Sequence, residues 1–418
     1  MLILRALACA LALTISSVSA FSSDLALVHA KIYTSPAGAP INDGTILVHN
    51  DRIVAVGPSA QTKVPRFARS VTVMDCTGLV VTAGFWNSHV HILTPGLLNA
   101  KNRTDSEISQ QLEDMFTKWG FTTVFDVASV LDNTNEIRRR IESGKVRGPR
   151  ILTVGEPFYP KGGTPIYVKS FLEQNHIPSA EIDSADQALA RVRHQLSDGA
   201  DGIKIFTGAI TAKGVLPFPL DIAKAIVAEA HRAGKPVFAH PSNQQGLEIA
   251  IESGVDVLAH TAPMSGDWSS ELTARLKAAH MALIPTLTLF DVEAKKAKVS
   301  QEEDEQWIGQ AVQELKAYSD AGGQILFGTD VGYINQYDTS EEFQLMSRAG
   351  MTFQQVLASL TTNPAERFGF ANRTGRIAKG MNADLVVLDA DPSSDVTAFS
   401  KVRRVIRNGA LIYSAHAN

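Results

Sequence analysis

Two histidines, His89 and His91, stand one residue apart at the end of an apolar run in the stretch VVTAGFWNSHVHILTPG. On a β-strand, side chains at i and i+2 project to the same face, so the two imidazoles point together and Val90 turns away. Such a pair suits Zn2+ or a similar divalent ion, although a His-x-His taken alone is more often structural. Other apolar runs downstream supply the test, because they also end in ligand types: Val237-Phe238-Ala239-His240, Val257-Leu258-Ala259-His260 and Leu326-Phe327-Gly328-Thr329-Asp330. Four histidines and one aspartate at the ends of separate strands are hard to explain as packing. Together they are a donor set for a divalent metal.

A lysine interrupts a further run, Gly202-Ile203-Lys204-Ile205-Phe206. Alternation turns Ile203 and Ile205 outward and Lys204 inward, toward the same set of ligands. An ammonium aimed at metal cations would be repelled. Three states remain open to it: a neutral amine, an anionic carbamate formed with CO2 that can bridge two metals, or an ion pair with an acid such as Asp201 or Asp126.

These residues need elements to position them. Between about Val81 and Phe370, strand-like apolar runs alternate with amphipathic helix-length segments: FTTVFDVA then NEIRRRIESG, RILTVGEPF then SADQALARVRHQLSDG, ADGIKIFTG then PLDIAKAIVAEAHRAG, and so on to QILFGTD then SEEFQLMSRAG. Counting the strand that carries His89 gives eight β/α units, the size and rhythm of a (β/α)8 TIM-like barrel of the α/β class. In such barrels the C-terminal strand ends build the active site, which is where all the candidate ligands fall. An open doubly wound sheet fits less well, since no glycine-rich phosphate turn follows the first strand. Short alternating strands fill Leu25 to Thr82 and return in ADLVVLDA and KVRRVIRNGALIYS, so the two chain ends are expected to pair into a small β-sandwich. The expected division is a composite β-sandwich from 21–80 and 373–418 and a barrel from 81–372.

With the ligands and their strands in place, the sequence resembles the amidohydrolase superfamily, metal-dependent hydrolases with this barrel and a β-sandwich made from both chain ends. His89-Val90-His91 resembles the family's first-strand pair, Lys204 its carboxylated bridging lysine, His240 and His260 the fifth- and sixth-strand ligands, and Asp330 the eighth-strand aspartate. The tail Thr362-Asn363-Pro364-Ala365, Gly375-Arg376-Ile377 and Lys379-Gly380-Met381-Asn382-Ala383-Asp384-Leu385 is similar to the family's closing segment. Lysine in the setting Asp-Gly-Ile-Lys-Ile points to the binuclear, carboxylated-lysine branch that includes Xaa-Pro dipeptidase-like enzymes and N-acyl amino acid or amide hydrolases. The resemblance implies two divalent ions, Zn2+ the best match, one on His89, His91, the Lys204 carbamate and Asp330, the other on His240, His260 and the same carbamate. It implies hydrolysis of a C–N bond (amide, peptide-like or cyclic amide) in a small-molecule substrate by a metal-bridging hydroxide, with Asp330 as the catalytic general base and then acid. Homo-oligomers built through barrel helices are common in the superfamily.

Two departures bear on the substrate. Where the branch often shows Pro-Gly before the first-strand pair and Gly-Gly-His after the third strand, this chain has Ala83-Gly84 and Gly162-Gly163-Thr164. The second removes a polar group that could orient a carbonyl, which tells against dipeptides. The glycine-rich segment Phe158 to Tyr167 reads as a substrate loop at the rim, with Lys161, Thr164 and Tyr167 as candidate contacts. Three other functions share the fold: a mononuclear imidazolone or cyclic-amidine hydrolase or deaminase using His89, His91, His240 and Asp330, an esterase or phosphotriesterase, and a non-catalytic binding module. The last would show lost ligands, and none of the six is lost.

Composition bounds the rest. The net charge of −4 gives no basic footprint for nucleic acid. The opening MLILRALACALALTISSVSA has one Arg, an apolar stretch and small residues ending Val18-Ser19-Ala20, the pattern of a cleaved secretory signal over 1–20. Cleavage there removes Cys9, leaves Cys76 without a partner and excludes an intramolecular disulfide. No later run reaches about 18 apolar residues, so no membrane span is expected after cleavage. The expected location is periplasmic or secreted.

Overall fold

The computed structural model describes residues 24–64 and 71–415, so the expected signal peptide lies outside the described residues. Strands from both ends of the chain share one mixed sheet of eight strands. Val80–Ala83 joins them, pairing parallel with Asp24–Ile32 and antiparallel with Leu385–Leu388. Side-chain alternation gives this joint two buried faces. Val81, Ala83, Leu385 and Val387 pack with Leu27, Ile46 and Ile53 on one side, while Val80, Val386 and Leu388 join the main core on the other. That double burial explains the strand Leu385–Leu388, Leu-Val-Val-Leu, apolar at every position where a half-exposed strand would alternate. The expected β-sandwich is thus one continuous hydrogen-bonded sheet.

The eight strands expected for the barrel all form, at Phe85–Val90, Phe121–Asp126, Arg150–Thr153, Ile203–Ile205, Val237–Ala239, Val257–Ala259, Ala282–Ile284 and Gln324–Ile325. They are parallel but fall into a sheet of three and a sheet of five instead of one closed ladder. Single contacts link the two margins: Asp201 N–H donates to Thr153 O at 2.6 Å, Ser88 N–H to Phe327 O at 2.7 Å, and His91 N–H to Val331 O at 2.8 Å. The ladder breaks where the last strand shortens to two residues and the chain turns into Gly328 and Asp330.

Alternation sorts each strand into two sets. Ile203, Ile205, Leu258, Leu283 and Phe327 face the surrounding helices, whereas Trp86, Phe125, Leu152, Phe238, Val257 and Ala282 pack together between the sheets. Phe368, just after the helix Thr362–Arg367, inserts among the second set, with ring centroids 4.9 Å from Phe125, 5.8 Å from Phe238 and 5.9 Å from Trp86. Each such buried side chain contributes about 1.5–3 kcal/mol. The aromatic layer closes the strand interior below the ligands, leaving the C-terminal strand ends as the open side.

Four features were not anticipated. Gly208–Thr211 and Gly214–Pro217 form a hairpin after the fourth strand. Tyr159–Pro160 pairs with Glu181–Ile182, and a helix, Ile166–Gln174, starts where a rim loop was expected. A second extra helix, Leu287–Ala297, follows the seventh strand. Both helices lie over the strand ends.

Candidate metal centre

All six candidate ligands, His89, His91, Lys204, His240, His260 and Asp330, line one cavity at the C-terminal strand ends. Backbone bonds bring the first- and eighth-strand residues together. Asp330 N–H donates to His89 O at 2.9 Å, and the return bond from His91 N–H to Val331 O fixes the register. Two glycines permit this approach: a Cβ on Gly328 would lie 2.2 Å from Ile284 Cγ2 and 2.8 Å from His89 Cβ, and one on Gly332, whose φ is +101°, 1.9 Å from His91 O. His260 and Asp330 themselves have φ of 86° and 60°, a left-handed conformation that L-residues other than Asn and Asp seldom adopt. Backbone of this kind is maintained by its surroundings and clusters at functional sites.

Nitrogen and carboxylate lone pairs converge here. Asp330 Oδ1 lies 2.7 Å from His91 Nε2 and 3.3 Å from His89 Nε2, and Oδ2 lies 3.9 Å from His260 Nε2. Ligand atoms of His89, His260 and Asp330 all fall within 4.8 Å of one another. The His240 ring is adjacent, its centroid 4.8 Å from that of His260, and stacks on Phe206 at 4.5 Å. Asp330 Oδ1 and both nitrogens of His89 are buried without a hydrogen-bond partner. Buried polar atoms without partners are uncommon, and a missing ion is one of the few physical explanations.

Tautomers point the same way. His91 Nδ1–H donates to Ala128 O at 2.8 Å, leaving Nε2 facing Asp330. Thr286 Oγ1 donates to Pro285 O at 2.8 Å, so toward His260 Nδ1, 2.7 Å away, it can only accept. The His260 proton therefore sits on Nδ1 and the lone pair on Nε2 faces the cavity. Burial lowers His89 to about 3 and holds His240 and His260 well below the usual imidazole range. Burial works against the Asp330 anion, but His89 and His91 outweigh it and keep the carboxylate well below its ordinary value. Burial lowers His91, but Asp330 outweighs it and raises that imidazole above its ordinary value, whereas His89, His240 and His260 stay neutral. A carboxylate with these nitrogens is a donor set that fits a divalent cation.

Lys204 is buried and lines the same cavity. Neither acid considered as its partner reaches it. Asp201 pairs with Arg138 at 3.2 Å and accepts from Thr153 N–H at 3.1 Å. Asp126 accepts from the hydroxyls of Ser129, Thr134 and Thr153, and it braces the backbone beside His91 without touching that ring. Burial lowers the Lys204 amine to about 7, with Asp330 pulling in the opposite direction.

The candidate substrate contacts separate. Tyr167 lines the cavity, its hydroxyl 3.5 Å from His240 Nε2. Lys161 Nζ instead pairs with Asp183 at 2.9 Å on the surface, and Thr164 Oγ1 donates to Glu181 at 2.6 Å; neither is among the residues lining the cavity. Sequence reasoning did not find Thr286 or Tyr333. Phe206 could have been found, since it lies two residues from Lys204 on an alternating strand.

Thr286→Val keeps the shape of the side chain and removes the acceptor for His260 Nδ1–H. Metal affinity is expected to fall about 10- to 100-fold, the usual scale for a lost partner of a metal-bound histidine. Competitive metal titration with a chromophoric chelator measures it, and circular dichroism should show unchanged secondary structure. An unaltered affinity would mean that Thr286 does not orient the ring.

A profile of the Amidohydrolase family matches residues 80–412. Ochratoxinase from Aspergillus niger is 23% identical over 417 residues, covering 91% of this chain and 84% of that protein. Imidazolonepropionase from Brucella suis biovar 1 (strain 1330) is 23% identical over 426 residues, covering 90% and 95%. A crystal structure of a Xaa-Pro dipeptidase with methionine bound in the active site superposes with a TM-score of 0.79 at 22% identity, covering 94% of this chain and all of that one. Matched from the joint strand of the composite sheet into its last strand, and carrying this cluster at its strand ends, the chain belongs to the amidohydrolase family and is an enzyme.

Proposed function

We propose that the protein hydrolyses a carbon–nitrogen bond, in an amide, peptide-like or cyclic amide substrate, at two divalent metal ions, Zn2+ by preference. The observation that carries this is the convergence of Asp330 with His89, His91 and His260, with Asp330 Oδ1 and both His89 nitrogens buried and unsatisfied, on a cavity that Lys204 also lines with no ion-pair partner within 4.0 Å among the described residues. The names of the relatives, ochratoxinase and Xaa-Pro dipeptidase, accord with it. In this reading the two parallel sheets act as one (β/α)8 barrel over 81–372, attached to the composite domain of 21–80 and 373–418. The mature protein is periplasmic or secreted.

His89, His91 and Asp330 would hold one ion and His240 and His260 the other, with Lys204 as a carbamate between them. Bound there, the ions would polarise the substrate carbonyl and ease ionisation of water. Asp330 accepts a proton from the attacking water through a carboxylate oxygen and delivers it to the leaving nitrogen, so that the amine departs neutral. The Tyr167 hydroxyl, kept protonated because burial raises it well above the usual tyrosine range, would donate to the substrate carbonyl oxygen. The aromatic layer of Trp86, Phe125, Phe238 and Phe368 keeps water from entering beneath the ligands.

A second reading uses one ion and opens a cyclic amidine. The compactness of His89, His260 and Asp330 and the imidazolonepropionase relatives favour it.

The test loads the protein with Zn2+ and screens dipeptides, N-acyl amino acids, aryl amides, cyclic amides, aryl esters and a phosphotriester. At least one C–N substrate is expected to turn over about 100-fold faster than with chelator-stripped protein. Inert amides beside a rapidly cleaved ester or phosphotriester would overturn the assignment, and a ring-opened imidazolone as the sole product would favour the one-ion reading.

A further inference from the structure

The cavity above the ligands is larger and more apolar than metal chemistry needs. Its volume is about 790 Å³, toward the upper end for small-molecule sites. Phe171 and Leu172 come from the helix Ile166–Gln174, Leu289 and Phe290 from Leu287–Ala297, and Trp307 from Gln301–Asp320. At the mouth, Ile166 is 53% exposed, Met264 65% and Trp307 43%; these are three of the six large hydrophobic side chains exposed among the described residues. Exposed apolar side chains scattered singly need no explanation, but half of them on one rim mark a contact surface.

Charge is distributed just as unevenly. Apart from the six ligands, the ionised side chains that line the cavity are two carboxylates, Glu156 and Glu293, with no arginine and no second lysine among the described residues. Glu156 accepts from Leu131 N–H at 3.3 Å. Glu293 faces the cavity while Lys296 Nζ, at 2.7 Å, pairs with it and lies 4.6 Å from the centre of the Tyr333 ring. The Arg191 guanidinium packs on Phe158 and donates to the carbonyls of two cavity-lining residues, Ala180 and Pro157. Away from the metal ligands, a carboxylate held against these walls would be desolvated beside Glu156 and Glu293, with Lys296 already paired to Glu293.

Resting on the hydrolase reading, we infer that the substrate is a bulky, uncharged apolar amide. It carries an aryl or long alkyl group in the cavity and no free carboxylate there, unlike a dipeptide or an N-acyl amino acid. The rim of Ile166, Met264 and Trp307 receives the apolar group first, and Glu293 sets the discrimination against acids.

A matched pair tests this: N-benzoyl-phenylalanine and its N-methylamide, which differ in charge far more than in shape. Dissociation constants are measured by calorimetry on the Zn2+-loaded protein, and kcat/KM wherever product appears. The neutral member is expected to bind at least about tenfold more tightly, and Glu293→Lys to shrink or invert that ratio. Equal or tighter binding of the acid by the wild-type protein would overturn the inference, as would failure of both to bind below about 1 mM. A neutral preference without cleavage of any amide would sustain the substrate class and sink the hydrolase reading. Amide cleavage with a preference for the acid would do the reverse.

Discussion

Asp330→Asn is expected to lower kcat by about 10²- to 10⁴-fold, the range attached to a lost general acid–base group, with the fold intact. Asparagine has nearly the same shape, tolerates the φ of 60° that this position requires, and retains the backbone bond from its N–H to His89 O at 2.9 Å. What disappears is the anion. His89 and His91 hold the carboxylate ionised against the burial that would neutralise it, so at neutral pH the wild-type group can take a proton and an amide cannot. Stability supplies a second signature: stripped of metal, the variant loses the buried His91–Asp330 pair and should melt below wild type. With metal added, the gap should widen, since wild type gains more from binding. Steady-state kinetics and paired melting curves with and without chelator read both effects. An Asp330→Asn enzyme with kcat within threefold of wild type would remove Asp330 from its assigned role.

Lys204→Ala carries the second large expectation: metal content falls from about two ions per chain to one or none, and kcat/KM falls by about a thousandfold, the scale of a lost electrostatic stabiliser in a water-poor site. Lys204 is 2% exposed, Asp201 and Asp126 are engaged elsewhere, and among the described residues no carboxylate lies within 4.0 Å of its ammonium. Burial lowers the amine to about 7, which leaves roughly half of it neutral at pH 7. In the proposed state the neutral nitrogen would attack the carbon of CO2, lose one proton to solvent and become a carbamate anion. Two consequences distinguish this from a wall-lining role. Reloading stripped wild-type protein in CO2-free buffer should restore activity slowly and bicarbonate should accelerate it; a short carboxylic acid should partly restore Lys204→Ala by placing a carboxylate in the vacated space. Unchanged metal content in Lys204→Ala, measured by elemental analysis, would leave the lysine without a part in metal binding.

The sequence revealed the site better than its roof. Each of the eight parallel strands coincides with a run of apolar and β-branched residues, and a period of two suffices to place His89, His91 and Lys204 on inward faces. His240, His260 and Asp330 were legible because each ends such a run. The helix Leu287–Ala297 was not, because Leu287-Thr288-Leu289-Phe290 continues the alternating apolar and threonine pattern of the seventh strand and hides the break at Pro285. In Phe158 to Tyr167, Gly162, Gly163 and Pro165 read as loop signals, although the chain there pairs as a strand and then begins a helix. Lys161 and Thr164 were named for their chemistry, yet Asp183 and Glu181, about 20 residues downstream, bind them at the surface. A pairing partner contributed by another segment leaves no periodic trace. Pairing at the junction of the chain ends was legible from their short alternating strands, but alternation does not say that they share one continuous sheet.

That junction also sets the order of events during synthesis. Val80–Ala83 is buried on both faces, and its antiparallel partner, Leu385–Leu388, follows about 300 residues later. At about 5–20 residues per second, the ribosome leaves this apolar edge uncovered for about 15–60 s while the whole barrel segment emerges. A nascent chain is therefore adhesive for most of its production, and loss of the final strands would make that condition permanent. Yield in a heterologous host should then depend on holding chaperones and on slow elongation more than on the stability of the finished enzyme.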